Sequence, residues 1–289
     1  MTQKAITELG NLLAAQQSIG FDKIQSKIEG AAHIDQKLFF YLFAICTRWF
    51  DNSNVNISDS LHWQEKDSFG VITKWQWPSL ARLYLLLLVA DQGTKQHYIE
   101  LYETLFNSAD VQESIVLIQS LAFVPYPEAF VEKAREAARS NITSLFSAIA
   151  HDTDYPNKYF DELGWNQLIL KAAFLNVPII SIHGLKSRNN ESLVTMLRDY
   201  AKERQAASRS VPWDLWCCVA WITLSNDGRE DLKTQFVRSD IRTKAAIALG
   251  LAENKDEDTA ILGRQLLQVD ELQQLPSPIT WEIIANYEC

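Results

Sequence analysis

The stretch DELGWNQLILKAAFLN at 161–176 carries Asn166, Gln167 and Lys171 inside a run of apolar side chains. If it is a helix, Asn166 lies near Leu163, Leu170 and Phe174. Gln167 and Lys171 then form an i, i+4 pair on an adjoining face, and Trp165, Leu168, Ile169 and Ala172 cover much of the rest. Such apolar coverage implies that the polar groups are at least partly buried, where an unsatisfied amide costs about 1–3 kcal/mol and a charge more. They must therefore have partners. Either they tie neighbouring loops and helix ends, with Lys171 reaching a C-terminal carbonyl or a carboxylate, or they line a cleft.

Other chemistry is sparse. The 5 histidines, His33, His62, His97, His151 and His183, lack the i+3, i+4 or HExxH spacing that builds a metal site. Cys46, the adjacent Cys217 and Cys218, and Cys289 form no CxxC and no disulfide framework, which fits a reducing compartment. No GxSxG elbow, GxxxxGK[ST] loop or GxGxxG turn occurs, and the acidic run NKDEDTA lacks the glycine and final glutamate of a calcium loop. We expect no metal, no cofactor and no catalytic residue. The 9 tryptophans stand out: Trp63, Trp75 and Trp77 fall in one irregular stretch, and Trp213, Trp216 and Trp221 near one helix. Aromatics at that spacing are first of all core fillers, yet an aromatic-lined groove also suits a flat or isoprenoid ligand.

The elements that must position these residues are helical. Gly (10) and Pro (8) are scarce, and apolar residues recur at i, i+3, i+4 and i+7 in segment after segment. Helices are expected at about 3–17, 20–30, 34–50, 78–91, 94–107, 110–123, 127–139, 141–151, 158–176, 190–207, 212–224, 229–237, 239–252, 256–269 and 279–287, with a long loop at 51–77. Asp110 followed by Glu113 reads as a capping box, and Pro78, Pro127 and Pro156 as first-turn prolines. Short connections imply an all-α fold of stacked antiparallel helix pairs, as a HEAT-like solenoid or a compact helical array. The segment 240–268 has the look of one such pair. No linker divides the chain, so residues 1–289 read as a single domain. Its net charge of −9 argues against nucleic acid as a partner. The longest apolar runs, LFFYLFAIC and LYLLLLVA, fall short of a membrane span, and no signal-peptide pattern opens the chain; a cytoplasmic protein is expected.

The segment YPNKYFDELGWNQLILKAAF resembles the Tyr-Pro … Trp-Asn-Gln-Met-x-Leu-Lys-Ala-x-Phe signature of the EboA family. LAFVPYPEAFVEKAREAARSNITSLFSAIA is similar to that family's Pro-Tyr-Pro segment and the Arg-x-Asn-Met-Thr helix after it. SLVTMLRDYAKERQAASRSV, DLW and ARLYLLLLVAD extend the likeness over roughly 78–252, whereas 1–77 and the C-terminal helices of 253–289 show none. Thr153-Asp154 stands where the family usually has Asn-Pro, and Leu168 and Ile142 replace methionines.

The resemblance implies a cytoplasmic bacterial or algal helical protein from a gene cluster concerned with traffic of secondary-metabolite precursors. Its neighbours there include a membrane prenyltransferase and TIM-barrel proteins, and no catalytic reaction is implied. The expected function is therefore a non-enzymatic binding or scaffold protein for the traffic or export of such a precursor. Its partners would be other proteins of the same gene cluster, the prenyltransferase among them, and a small hydrophobic or aromatic metabolite. The alternative is an all-α enzyme acting on a hydrophobic or prenylated metabolite, with Lys171 and Asp161 or Glu162 as acid and base. Arg139, Asn141, Tyr155, Trp165, Asn166, Gln167 and Lys171 are the candidate structural or ligand-binding residues. Arg139, Asn141 and Tyr155 are expected to meet the Asn166, Gln167 and Lys171 triplet in one polar cluster.

Overall fold

A computed structural model describes residues 2–31, 33–55, 75–222 and 224–287. Among them are helices and one isolated bridge, Asn54 to Gln76, with no strand. The all-α expectation holds. Contacts gather the chain into two compact units, Met1–Phe160 and Asp161–Cys289.

The first unit comprises α1 (Thr2–Gln16), α2 (Ser18–Glu29), α3 (Gln36–Trp49), α4 (Trp77–Gln92), α5 (Lys95–Ser108), α6 (Val111–Ser120), α7 (Val131–Arg139), α8 (Thr143–Ala150) and the short α9 (Tyr155–Tyr159). Its hub is α4, which packs against α1, α3, α5 and α6. The sequence WPSLARLYLLLLVADQ is apolar nearly all round, and such a helix has no face to give to water. Arg82 is buried in its middle. Its Nε donates to the Phe43 carbonyl at 2.9 Å and its Nη2 to Glu113 Oε1 at 3.1 Å, while the guanidinium lies 4.9 Å from the Phe43 ring centre. The same Glu113 completes the predicted capping box with Asp110 at the start of α6. Pro78, Pro127 and Pro156 all occupy first turns, as expected.

The second unit comprises α10 (Glu162–Leu175), α11 (Leu185–Arg188), α12 (Glu191–Ala206), a 3-10 helix (Trp213–Trp221), α13 (Asn226–Arg238), α14 (Ile241–Ala252), α15 (Glu257–Leu266) and α16 (Trp281–Asn286). Its hub is α14, against which the 3-10 helix, α13, α15 and α16 all pack. Asp161, Asn190, Ser225, Asp240, Asp256 and Thr280 cap helices here by accepting a backbone N–H from the first turn. Close approach is allowed by glycine: a Cβ on Gly250 would meet the Trp216 carbonyl oxygen at 2.5 Å, and one on Gly263 would meet the Ala252 backbone nitrogen at 2.0 Å.

Two expectations are corrected. The helix expected at 158–176 is split, because Phe160 is extended and Asp161 starts a new helix as its N-cap. The helix expected at 212–224 is a 3-10 helix. Its tighter turn stacks Trp216 and Val219 at i, i+3, and side chains from elsewhere take up its last carbonyls: Asn189 Nδ2 donates to Cys218 O, and Asn254 Nδ2 to Val219 O at 2.6 Å. Most of the loop expected at 51–77, with His62 and Trp63, lies outside the described residues, as does Cys289. At its described ends, Val55 N donates to Trp75 O at 2.7 Å and Trp75 packs edge-on to Phe123 at 5.8 Å. No helix among the described residues is long and apolar enough to cross a membrane.

Candidate functional site

The residues singled out by sequence fall in both units. In the first, Tyr155 is buried and donates its hydroxyl to the Pro127 carbonyl, which pins the start of α9 to the turn before α7. Burial pushes its hydroxyl pKa up, and neighbouring Tyr159 and Glu128 add to the shift. Arg139 closes α7 and Asn141 follows it, both exposed.

In the second unit the polar triplet of α10 divides between inside and outside. Asn166, 3% exposed, exchanges two amide hydrogen bonds with Asn190, at 3.2 Å and 2.9 Å. Asn190 Oδ1 also accepts the Leu193 N–H as the cap of α12, so Asn166 fixes the α10–α12 junction. Gln167 is exposed. Lys171 is half-buried, with its ammonium 5.3 Å from the Phe174 ring centre, and it shares an outward stripe with Leu163, Gln167 and Phe174. Trp165 is fully buried under the Arg188 guanidinium, 5.0 Å from its ring centre. Asp161, considered as an acid or base, is engaged as the N-cap of α10, accepting from Gly164 N at 2.8 Å.

A cleft of about 290 Å³ opens elsewhere in the second unit, lined by Asn176, Pro178, Ser181, Trp213, Asp214 and Arg242 among others. It is built from a helix end. Asn176 takes the left-handed conformation, φ 55°, that terminates α10, and asparagine tolerates this better than most residues. The chain then turns past Pro178 and is clipped in place by Asp214, whose Oδ2 accepts the N–H of Ile179 at 2.5 Å and of Ile180 at 3.3 Å.

Asp214 is 4% exposed, and burial raises its pKa against the lowering influence of those N–H groups and of Arg242. Arg242 comes from the first turn of α14. Its guanidinium lies 4.6 Å from the Trp213 ring centre, and its Nε donates to Ile284 O at 2.9 Å and its Nη2 to Ala285 O. A second, more open groove of about 610 Å³ shares Ile180 and carries Lys186 and Lys255.

Sequence reasoning missed this cleft. Trp213 was weighed as core, whereas it is half-exposed at the mouth of the 3-10 helix. Asp214, a lone carboxylate at the head of the apolar WDLWCCVAW, was a usable signal, because a buried acid demands donors. Arg242 carries no local mark; only the fold brings it to Trp213.

The chain is similar to the family described as metabolite traffic protein EboA, whose model matches residues 4–220. The match therefore takes in the N-terminal helices, for which the sequence reading found no likeness, and stops short of 239–252, which that reading included. No curated protein and no solved structure matches. With three quarters of its length matched, from α1 through the 3-10 helix that floors the cleft, the chain belongs to the EboA family of metabolite traffic proteins.

Proposed function

We propose that this chain is a non-enzymatic binding protein that holds a small secondary-metabolite precursor during its traffic or export. The ligand sits in the cleft of the second unit, and other proteins of the same gene cluster, a membrane prenyltransferase among them, deliver or receive it in the cytoplasm. One observation supports this reading above the family description. Both charged groups of the cleft hold backbone, Asp214 the N–H groups of Ile179 and Ile180, and Arg242, through Nε and Nη2 only, the carbonyls of Ile284 and Ala285. A carboxylate so engaged is suited to shaping a wall rather than shuttling protons. What remains for a ligand is an aromatic and proline-lined surface with a few fixed polar groups, the usual make-up of a small-molecule site.

The test is native mass spectrometry of the full chain purified from cells carrying its gene cluster, compared with Ser181→Trp, which fills the cleft from an exposed loop position. The expected result is a released small molecule in the wild type and none in the variant. Retention of the molecule by the variant, or a wild type that carries nothing, would overturn the assignment.

A further inference from the structure

We infer that the cleft selects a flat, aromatic monocarboxylate, its ring system on Trp213 and its carboxylate on the guanidinium of Arg242; this rests on the cleft being the ligand site.

The accessible charge of the cleft is positive and the negative charge is hidden. Arg242 Nη1 has no hydrogen-bond partner among the described residues, whereas Nε and Nη2 are spent on the Ile284 and Ala285 carbonyls. Asp214, the carboxylate of the same cleft, is buried and turns Oδ2 to the Ile179 and Ile180 N–H groups, with no hydrogen bond to Arg242. An anion can therefore reach the guanidinium without displacing an existing ion pair. Asp214 is also harder to ionise than an exposed aspartate, because burial raises its pKa, which weakens its repulsion of an incoming anion. The groove beyond Ile180 carries Lys186 and Lys255, of the same sign as Arg242.

Shape narrows the class. A guanidinium held 4.6 Å from an indole centre is fixed in orientation, and a fixed guanidinium favours a planar carboxylate over a diffuse charge. About 290 Å³ lies at the small end of ligand pockets, room for a one- or two-ring body rather than a long chain. Pro178, Pro212 and Trp213 supply flat apolar walls. Arg242 lies beyond residue 220, where the family match ends, so the anion contact is made by a part of this chain outside that match.

The test uses the full chain and three probes of one shape: 2-naphthoate, neutral 2-naphthamide and the 2-naphthylmethylammonium cation. Binding is read from the Trp213 indole N–H resonance, assigned with Trp213→Phe. The expected result is that naphthoate shifts this resonance and binds at least tenfold more tightly than the amide, a difference of about 1.4 kcal/mol, with the cation weakest. Arg242→Gln should bring naphthoate and naphthamide to parity. Because Arg242 also holds the α16 carbonyls, the comparison of probes on the wild type stands whether or not that variant folds. Equal affinity of acid and amide at Trp213 would overturn the carboxylate preference while leaving the cleft as the ligand site. Failure of all three probes to shift Trp213, together with a native ligand retained by Ser181→Trp, would overturn both.

Discussion

The hub helices of the two units are both surrounded by other helices, but they meet their neighbours through different side chains. In the first unit α4 presents Leu80, Leu83, Leu85, Leu86 and Leu87, large side chains among which the Arg82 guanidinium is buried with Glu113. In the second unit α14 presents Ala245, Ala246, Ala248 and Gly250, and the 3-10 helix and α15 approach to backbone contact. Either packing tolerates a buried polar group if its bonds are met; on α14 itself Thr243 is 4% exposed and is bonded to Asp240. The buried polar side chains of the second unit are met in the same way: Asn166 pairs with Asn190, Asp214 accepts from Ile179 and Ile180, and Asn254 donates to the Val219 and Ile222 carbonyls.

The comparison can be broken at its most demanding point. Arg82→Ala should destabilise the first unit by about 3–5 kcal/mol, since it leaves the Glu113 carboxylate without its buried cation and takes a donor from the Phe43 carbonyl. Urea denaturation measures this, and a loss below about 1 kcal/mol would show that water reaches the α4 interior. Next, Gly263→Ala should cost about 3 kcal/mol, at the upper end of overpacking, because the new Cβ collides with the Ala252 backbone and not with a movable side chain. Its counterpart in the first unit, Gly10→Ala, meets Tyr84 at a tolerable 3.4 Å and should gain up to about 1 kcal/mol from helix propensity. Equal effects of the two glycine substitutions on the denaturation midpoint would erase the contrast between the hubs.

Smaller effects sharpen the account of the second unit's polar groups. Asn166→Ala should cost about 1–3 kcal/mol through loss of its two buried amide bonds to Asn190, and Gln167→Ala should stay within about 0.5 kcal/mol. Thermal unfolding of both variants separates a structural amide from an exposed one, and comparable losses would contradict the division of the triplet.

The smallest effect concerns pH. A carboxyl whose pKa is raised in the fold holds its proton more tightly there than in the unfolded chain, so the stability it lends is full below the ordinary aspartate range and is lost as pH rises through the raised value. Asp214→Asn keeps an oxygen for Ile179 and should flatten that decline, which parallel denaturation curves from pH 3 to 7 would register. An unchanged slope would show that Asp214 is not the titrating group.

Much of the architecture was legible in the chain. Recurrent 3.6-residue periodicity, the Asp110–Glu113 box and the three first-turn prolines located their helices because caps and prolines act through bonds within a few residues. The 158–176 helix was drawn too long because Asp161, which starts a helix as its cap, was read as part of one already running. At 212–224 the i, i+3 spacing of the tryptophans suits an α-helix and a 3-10 helix alike, and the deciding donors, Asn189 and Asn254, come from outside the segment.

The candidate site divides in the same way. From the sequence alone came the helical class, the family signature and the demand that Asn166 find a partner, all consequences of residue type and local spacing. Tertiary structure alone decided that this partner is Asn190, that Gln167 faces outward, and that Asp214 and Arg242 reach one cleft. The physical reason is that a carboxylate or guanidinium has no local preference strong enough to announce its partner. What it bonds to is settled by which distant backbone groups the packing of α10, α14 and α16 leaves within about 3 Å.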